Sequence, residues 1–361
     1  MKDWEVIIIG GGIIGLSLAI SLRKQGLRVL IVERGEPGRE ASYAAAGMLV
    51  AEGDETPPAL RVLAEESARL YPEFAHELED ESGVSVDLRD YGTILLSGDD
   101  HFPDAAETIS PEKLHWLEPA LARPGRGIRA AYLSERSVDP RALTAAAIKA
   151  AHHRGVDISS GTEVKTLLVS GNGVTGVQTE KTTYLAPIVV NCAGAWAGCI
   201  TADQFPVRPV KGQMLSVVGG PSLKHVLRSD EVYVVPRSDG RVVIGTTLEN
   251  VGYDKRTDVS TIQRLLHAAL ELAPGLADAK LHHDWAGLRP GTPDDLPVLG
   301  ATARPGYFVA TGHYRDGILL APITAEVMTS VILGRPPAYD LTNFAPDRFA
   351  NGRQIESDRL G

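Results

Sequence analysis

Cysteine is almost missing from this sequence: 361 residues hold only Cys192 and Cys199. The pair fits neither a disulfide framework nor a CxxC metal or redox motif, so free thiols and a cytoplasmic location are expected. Basic charge is short as well. Thirty-six Lys and Arg stand against 46 Asp and Glu, and the formal charge of −10 opposes nucleic acid and anionic membrane surfaces. No apolar run approaches the roughly 20 residues of a membrane span. The N-terminus shows no basic region followed by a cleavage site, and its first apolar run reads as a strand. Neither a nucleic-acid nor a membrane partner is expected. No His/Asp/Ser or Cys/His grouping suggests a catalytic nucleophile. The pairs His152-His153 and His282-His283 lack the spacing that places two rings on one metal, and no metal is expected.

What is present is the composition of a folded protein, 43% hydrophobic and 23% charged, at a length that suits about two domains. Residues 6–9 are apolar and run into Gly10-Gly11-Gly12-Ile13-Ile14-Gly15, then a helical pattern over 16–25, Gly26, and a second apolar run at 29–32. This is strand, glycine turn, helix, strand: a βαβ unit with buried parallel strands. The runs at 188–190 and 307–310 read as returns to the same sheet. Around 85–97 and 207–247, β-branched and polar residues alternate between Pro and Gly, as in half-exposed antiparallel strands. Helical patterns cover 56–82, 140–153 and 260–272. The expected fold class is α/β (α+β overall), a doubly wound nucleotide domain interrupted by a mainly antiparallel-sheet domain. The first takes residues 1–84, 140–205 and 285–361, the second 85–139 and 206–284.

Each glycine of Gly10-x-Gly12-x-x-Gly15 has a separate task in a dinucleotide site. Gly10 permits the tight turn, Gly12 lets backbone approach a pyrophosphate, and Gly15 lets helix and strand pack closely. Ile13 and Ile14 then begin a helix whose N-terminal dipole favours the phosphates. Glu33, at the end of the second strand, can accept hydrogen bonds from a ribose hydroxyl. Its charge would repel an adenosine 2′-phosphate, and Arg34 beside it either reverses that preference or is a solvated surface arginine. On these residues alone both NAD and FAD remain open.

Four further segments resemble one family. They are Ala41-Ser-Tyr-Ala-Ala-Ala-Gly-Met48, Asn191-Cys-Ala-Gly-Ala-Trp-Ala-Gly198, Trp285-Ala-Gly-Leu-Arg-Pro-Gly-Thr292, and Thr311-Gly-His-Tyr-Arg-Asp-Gly-Ile-Leu-Leu-Ala-Pro322. Together with the glycine motif they resemble the D-amino-acid oxidase superfamily, within it the glycine oxidases, from Val6 to about Leu333. The resemblance implies a Rossmann-type FAD-binding domain and a substrate-binding domain. Ala41, Ser42, Ala46, Gly47 and Met48 would line the isoalloxazine and pyrophosphate, and Val164 would contact the adenine through its backbone. His313, Tyr314, Arg315, Asp316, Gly317, Ile318 and Leu319 would wrap the pyrimidine end of the flavin. Ala44 stands where some relatives attach flavin covalently through a histidine, which implies non-covalent FAD.

A small amino-acid substrate needs a cation for its carboxylate. Arg289 suits this because a guanidinium fork matches a carboxylate bidentately. The alternative is a buried ion pair with Asp294 or Asp295. By resemblance Tyr233 donates a second hydrogen bond to the carboxylate and Arg315 lies at the pocket edge. Strand phase puts Glu231 and Val235 beside Tyr233 on the pocket side. Glu231 either holds the substrate ammonium or points to solvent. The chemistry implied is hydride transfer from Cα to flavin N5, with hydrolysis of the imine and reduction of molecular oxygen to hydrogen peroxide. Glycine, sarcosine and D-alanine are the substrates implied, thiamine biosynthesis the pathway, and a homo-oligomer, a tetramer by resemblance, the assembly. The competing readings are a flavin dehydrogenase passing electrons to a quinone or carrier, and a non-catalytic or tRNA-modifying flavoprotein.

Overall fold

Val6–Ile9 forms the first strand, β1, and every one of its residues is buried. Its side chains alternate between two cores. Val6 and Ile8 pack with helices on one face of the sheet, Ile7 and Ile9 with a small antiparallel sheet on the other. The second strand, β2 (Val29–Val32), divides in the same way, Val29 and Ile31 to the helices and Leu30 and Val32 to the opposite side. Burial on both faces is why these strands read as unbroken apolar runs. Between them lies helix α1 (Ile13–Lys24), and Gly26 adopts φ +85° just beyond its end.

In this computed structural model, which describes residues 3–53, 56–98, 102–121, 127–200 and 205–349, β1 is the fourth strand of a six-stranded sheet. The order is Val298–Ala301, Tyr307–Thr311, Ile188–Asn191, β1, β2, Asp157–Ser159. All neighbours are parallel except the first pair. The runs at 188–190 and 307–310 do return to this sheet. Helices Arg61–Ser82, Pro140–His153 and Ala321–Ile332 join α1 on one face. The three strands Val164–Ser170, Gly173–Thr179 and Thr183–Leu185 cover the other.

A second sheet has eight strands, in the order Lys280–Gly291, Arg208–Val218, Val242–Gly245, Tyr233–Pro236, Val226–Arg228, Thr93–Ser97, Arg129–Leu133, Glu107–Ile109. Its pairs are antiparallel save one. Leu227, Val234 and Ile244 point to the amphipathic helix Val259–Leu272, whereas Val226, Val235 and Val243 point to Ala44 and Ala46. One face therefore has its own core, and the other meets the segment that follows β2. The strand Lys280–Gly291 crosses the boundary expected at 285, because its long register with Arg208–Val218 carries it into the second sheet. Residues 350–361 of the expected first domain lie outside the described residues.

Two local expectations differ from the structure. Only Thr93–Ser97 of the stretch 85–97 is a strand. Asp87 at φ +53° and Gly92 at φ +90° turn the chain repeatedly before it can pair, and Arg89 makes a single bridge to Ser137. The pattern at 56–82 divides into a short 3-10 turn, Pro58–Leu60, and the helix Arg61–Ser82. No described helix is long and apolar enough to cross a membrane.

Candidate active site

A cavity of about 660 Å³ runs from the glycine turn to the inner face of the eight-stranded sheet. At its first end, Gly10 has φ +105°, and a Cβ there would lie 2.5 Å from the Cys192 carbonyl oxygen. A Cβ on Gly15 would lie 2.1 Å from the Gly10 oxygen, so this glycine is what lets α1 close on the end of β1. At Gly12 a Cβ would meet only Ser42 Oγ, at 3.3 Å; this position opens on the cavity. The Ile13 N–H donates to Ser42 Oγ (3.0 Å), which ties the 41–44 turn to the helix start. The buried Glu33 carboxylate accepts from the N–H groups of Gly11 and Gly35, each at 2.8 Å, so its position at the cavity wall is rigid. Arg34 is not simply solvated. Its guanidinium lies 3.4 Å from the centroid of the Trp196 ring and bonds Glu40 at 2.9 Å. Val164, at the head of its strand, lines this end between Glu163 and Lys165.

Small residues wall the middle of the cavity. Ala41, Ser42, Ala46, Gly47 and Met48 all face it, with Ala44 and Ala45. Gly47 takes φ +75° with no room for a side chain, since a Cβ would lie 2.1 Å from the Val138 oxygen. Behind the wall, Trp285 Nε1 donates to the Ala44 carbonyl (3.1 Å), and the buried Arg237 guanidinium donates to the Ala46 carbonyl. Burial pushes Arg237 down to about 10, and it remains a cation near neutral pH.

The far end is built on the sheet. Leu95, Arg228, Tyr233, Gly245 and Met214 stand side by side on five adjacent strands, and all of them line the cavity. Glycine at 245 leaves space for its neighbour: a Cβ there would lie 2.7 Å from Tyr233 Oη. At Gly212 a Cβ would lie 2.2 Å from Arg289 Nη1, so that glycine leaves space for the guanidinium. Arg289 donates to Thr246 Oγ1 (3.0 Å) and to the Thr247 carbonyl (3.2 Å). It does not pair with Asp294, which Arg348 holds at 2.8 and 3.1 Å. Burial raises the Tyr233 hydroxyl above its ordinary value, while Arg289 and Thr246 pull it back. An arginine and a phenol thus stand close together at this end, and among the described residues no carboxylate pairs with the arginine.

Val235 shares a face with Tyr233, as strand phase predicts, but is buried and does not line the cavity, whereas Glu231 is not placed by strand phase at all. Glu231 precedes the strand, in a bend, and is exposed at the cavity edge. Val235 is buried against Ala44 and Ala46. The strand begins only at Tyr233, so the period-two rule has nothing to act on before it.

The segment 313–319 closes the cavity. His313, Tyr314, Arg315, Asp316, Gly317 and Ile318 line it. Burial holds His313 down at about 3, hence neutral, with Nε2 3.0 Å from Thr324 Oγ1. Burial also pushes Asp316 up to about 7, against Arg315. Arg315 is exposed and stacks over the Tyr314 ring at 5.3 Å.

Of the residues expected to hold the cofactor, Gly15 and Leu319 do not reach the cavity. Gly15 packs helix on strand, and Leu319 is buried, its carbonyl accepting from Ser67 Oγ at 2.6 Å. The structure adds Gly212, Gly245, Met214, Thr246 and Arg228 to the far end. A glycine inside a strand marks a close approach, and that was the available signal at 212 and 245. Which side chain approaches is decided by pairing register. Among the described residues no group of three or more His, Cys, Asp or Glu could hold a metal ion.

The model of a family described as DAO, FAD dependent oxidoreductase, matches residues 5–331. A bifunctional protein ThiO/ThiG of Trichormus variabilis is 37% identical over 96% of this chain, which spans about half (55%) of that relative's length. A glycine oxidase of Pseudomonas aeruginosa is 36% identical over 95% of this chain and 98% of its own. The crystal structure of glycine oxidase from Geobacillus kaustophilus superposes with a TM-score of 0.90 at 32% identity, covering 96% of this chain and 99% of that one.

Proposed function

This chain belongs to the DAO family of FAD-dependent oxidoreductases, and from that premise we propose that it oxidises the Cα–N bond of glycine or of a small amino acid or secondary amine such as D-alanine or sarcosine. Oxygen is the electron acceptor in this reading and hydrogen peroxide the product, with thiamine biosynthesis as the pathway that the resemblance implies. The reading includes a cytoplasmic homo-oligomer, consistent with the acidic charge and the free thiols.

The cavity suits FAD. A glycine turn and helix start form one end, a fixed carboxylate stands at the strand end, and small residues wall the middle. Bound FAD supplies the two-electron oxidation of the amine, and the protein supplies binding, orientation and exclusion of water. Arg289, held by Thr246 and Thr247, would take the substrate carboxylate as a bidentate fork, and Tyr233 would donate to the same group. Two directed donors fix the orientation of Cα as well as its position. Ala44, in place of an attaching histidine, supports non-covalent binding.

The observation that carries this reading is a guanidinium on the wall of the dinucleotide cavity, oriented by two threonines and without a carboxylate partner among the described residues. A panel of glycine, sarcosine, D-alanine, D-proline and simple amines, assayed by peroxide release with wild type and Arg289→Ala, tests it. Loss of amino-acid oxidation with retention of FAD is expected. Equal oxidation of amines lacking a carboxylate would overturn it.

A further inference from the structure

Arg289 takes its direction from Thr246 and Thr247, so whatever fixes these two residues also fixes the cation. The strand Val242–Gly245 pairs with Arg208–Val218 as far as Gly245, opposite Met214. Beyond that point two hydroxyls stand in for the ladder. Thr246 Oγ1 donates to the Gln213 carbonyl at 3.2 Å, and Thr247 Oγ1 accepts from the Gln213 N–H at 2.9 Å. The Thr247 carbonyl then accepts from Arg289 rather than from the neighbouring strand.

A hydroxyl that accepts from Gln213 still has its own proton to place. Thr247 Oγ1 gives it to Glu249 Oε1 at 2.5 Å. The same carboxylate accepts from Gln213 Nε2 at 2.8 Å, and its other oxygen lies 3.2 Å from Lys211 Nζ. Gln213 Oε1 in turn accepts from the Asp258 N–H at 2.7 Å. Lys211 and Glu249 also exchange both main-chain hydrogen bonds, each of 2.9 Å. Burial works against the Glu249 charge, but the bonds from Thr247, Gln213 and Lys211 outweigh it and hold the carboxyl below its ordinary value. Glu249 does not line the cavity, and its ion pair is with the buried Lys211, so it leaves the charge of Arg289 for a ligand.

We propose that Glu249 is a positioning residue for the substrate carboxylate: it aligns the Thr247 hydroxyl and carbonyl, and through them the Arg289 guanidinium. This rests on the reading that Arg289 holds that carboxylate. A ligand meets two donors of the fork at once only if the guanidinium plane is set beforehand, and a freely turning Arg289 would lose binding energy to its own ordering. The network carries out that ordering in the folded protein. Lys211 supplies the counter-charge that keeps a carboxylate in this place.

The test uses FAD-loaded enzyme. Glu249→Ala should weaken the binding of acetate and propionate, read by flavin absorbance, about tenfold, and lower kcat/KM for glycine or sarcosine by a similar factor. The affinity for FAD should stay within about twofold of wild type. A general loosening of the fold would cause the same fall whatever residue stands at 289, so the deciding measurement is a double-mutant cycle. In the Arg289→Ala background, Glu249→Ala should change kcat/KM by about twofold or less. An equal fall in both backgrounds, or a single variant within about twofold of wild type, overturns the proposal. Glu249→Ala combined with Lys211→Met removes both charges, and it serves with the same expected outcomes if the single variant does not fold. If Arg289→Ala binds acetate as wild type does, the underlying reading falls and the proposal with it. If Arg289→Ala loses acetate binding while Glu249→Ala keeps it, the proposal alone falls.

Discussion

Arg289 gains its importance from what does not touch it. Its guanidinium is oriented by a hydroxyl and a carbonyl, neither of which neutralises it, and Asp294 is occupied by Arg348. Removing the cation would leave a substrate carboxylate unpaired in a partly desolvated site, at a cost of about 2–5 kcal/mol. Arg289→Ala should therefore lower kcat/KM by roughly 30- to 5,000-fold with normal FAD content. Arg289→Lys keeps the charge without the planar fork and should fall between. Steady-state kinetics beside flavin absorbance checks both, and activity within about threefold of wild type would make the arginine structural. Glu231 is exposed at the rim, so its effect on the ammonium end should be long-range and weak. Glu231→Gln should leave kcat unchanged and shift the glycine-to-sarcosine preference by about threefold or less at physiological salt. A larger shift would place the carboxylate on the substrate itself. Asp316 offers a pH test. Its carboxyl is pushed up to about 7 by burial, so the folded protein holds this proton more tightly than the unfolded chain, where an aspartate titrates near about 4. The stability it contributes is full below that unfolded value and is lost as pH rises through about 7. The Tm of Asp316→Asn minus that of wild type should therefore increase between pH 4 and pH 8, and a flat difference would contradict it.

At the scale of the element, the strands of the second sheet act by making room. Gly212 and Gly245 sit within strands and have no side chain where Arg289 and Tyr233 need the space. In Gly212→Ala the new methyl would meet the far end of the Arg289 side chain rather than backbone, so the strand should survive and the guanidinium should move. A misplacement of this kind can cost about 10²-fold. The expected result is a fall in kcat/KM of that order with Tm nearly unchanged, whereas a collapsed Tm would show that the strand could not accommodate the methyl. Gly15 differs, because a side chain there would strike the Gly10 backbone. Elements with strong local signals were legible. The β1-α1-β2 unit follows from apolar runs and a glycine turn, and Pro140–His153 is announced by Asp139, whose side chain caps the Arg141 N–H at 2.9 Å. The failures lie where tertiary context overrode pattern. The stretch 85–92 alternates like a strand but turns at Asp87 and Gly92, and Lys280–Gly291 is a strand chiefly because Arg208–Val218 pairs with it.

At the scale of the molecule, the site is a seam between two sheets. One supplies the dinucleotide cradle through the ends of β1, β2 and Ile188–Asn191, and the other supplies the Tyr233 face. A ligand spanning both adds to the contacts that Ala44 and Ala46 already make with the second sheet. FAD should therefore stabilise the whole chain by mass action, by about 2.7 kcal/mol at a hundredfold excess over its Kd. Thermal unfolding at increasing FAD should show Tm rising with ligand concentration. Acid precipitation should release all of the yellow colour into the supernatant. Colour left in the pellet would mean a covalent link, and a Tm indifferent to FAD would mean that the cradle does not bind it.

The sequence by itself determined the dinucleotide end and pointed to Arg289 as the cation proposed for the far one. A glycine turn between two apolar strands is a local device, and the segment carrying Arg289 keeps its residue types in a short contiguous run. The far end was a tertiary decision. Leu95, Arg228, Tyr233, Gly245 and Met214 come from five strands spread over the chain, and each becomes a neighbour of the next only through hydrogen-bond register. Strand phase counted from Tyr233 misplaced Glu231 because nothing in the local sequence states where that strand begins. Register is set by the packing of Leu227, Val234 and Ile244 against the helix Val259–Leu272 further along the chain, and a slip of one residue would exchange that face for the one that lines the cavity.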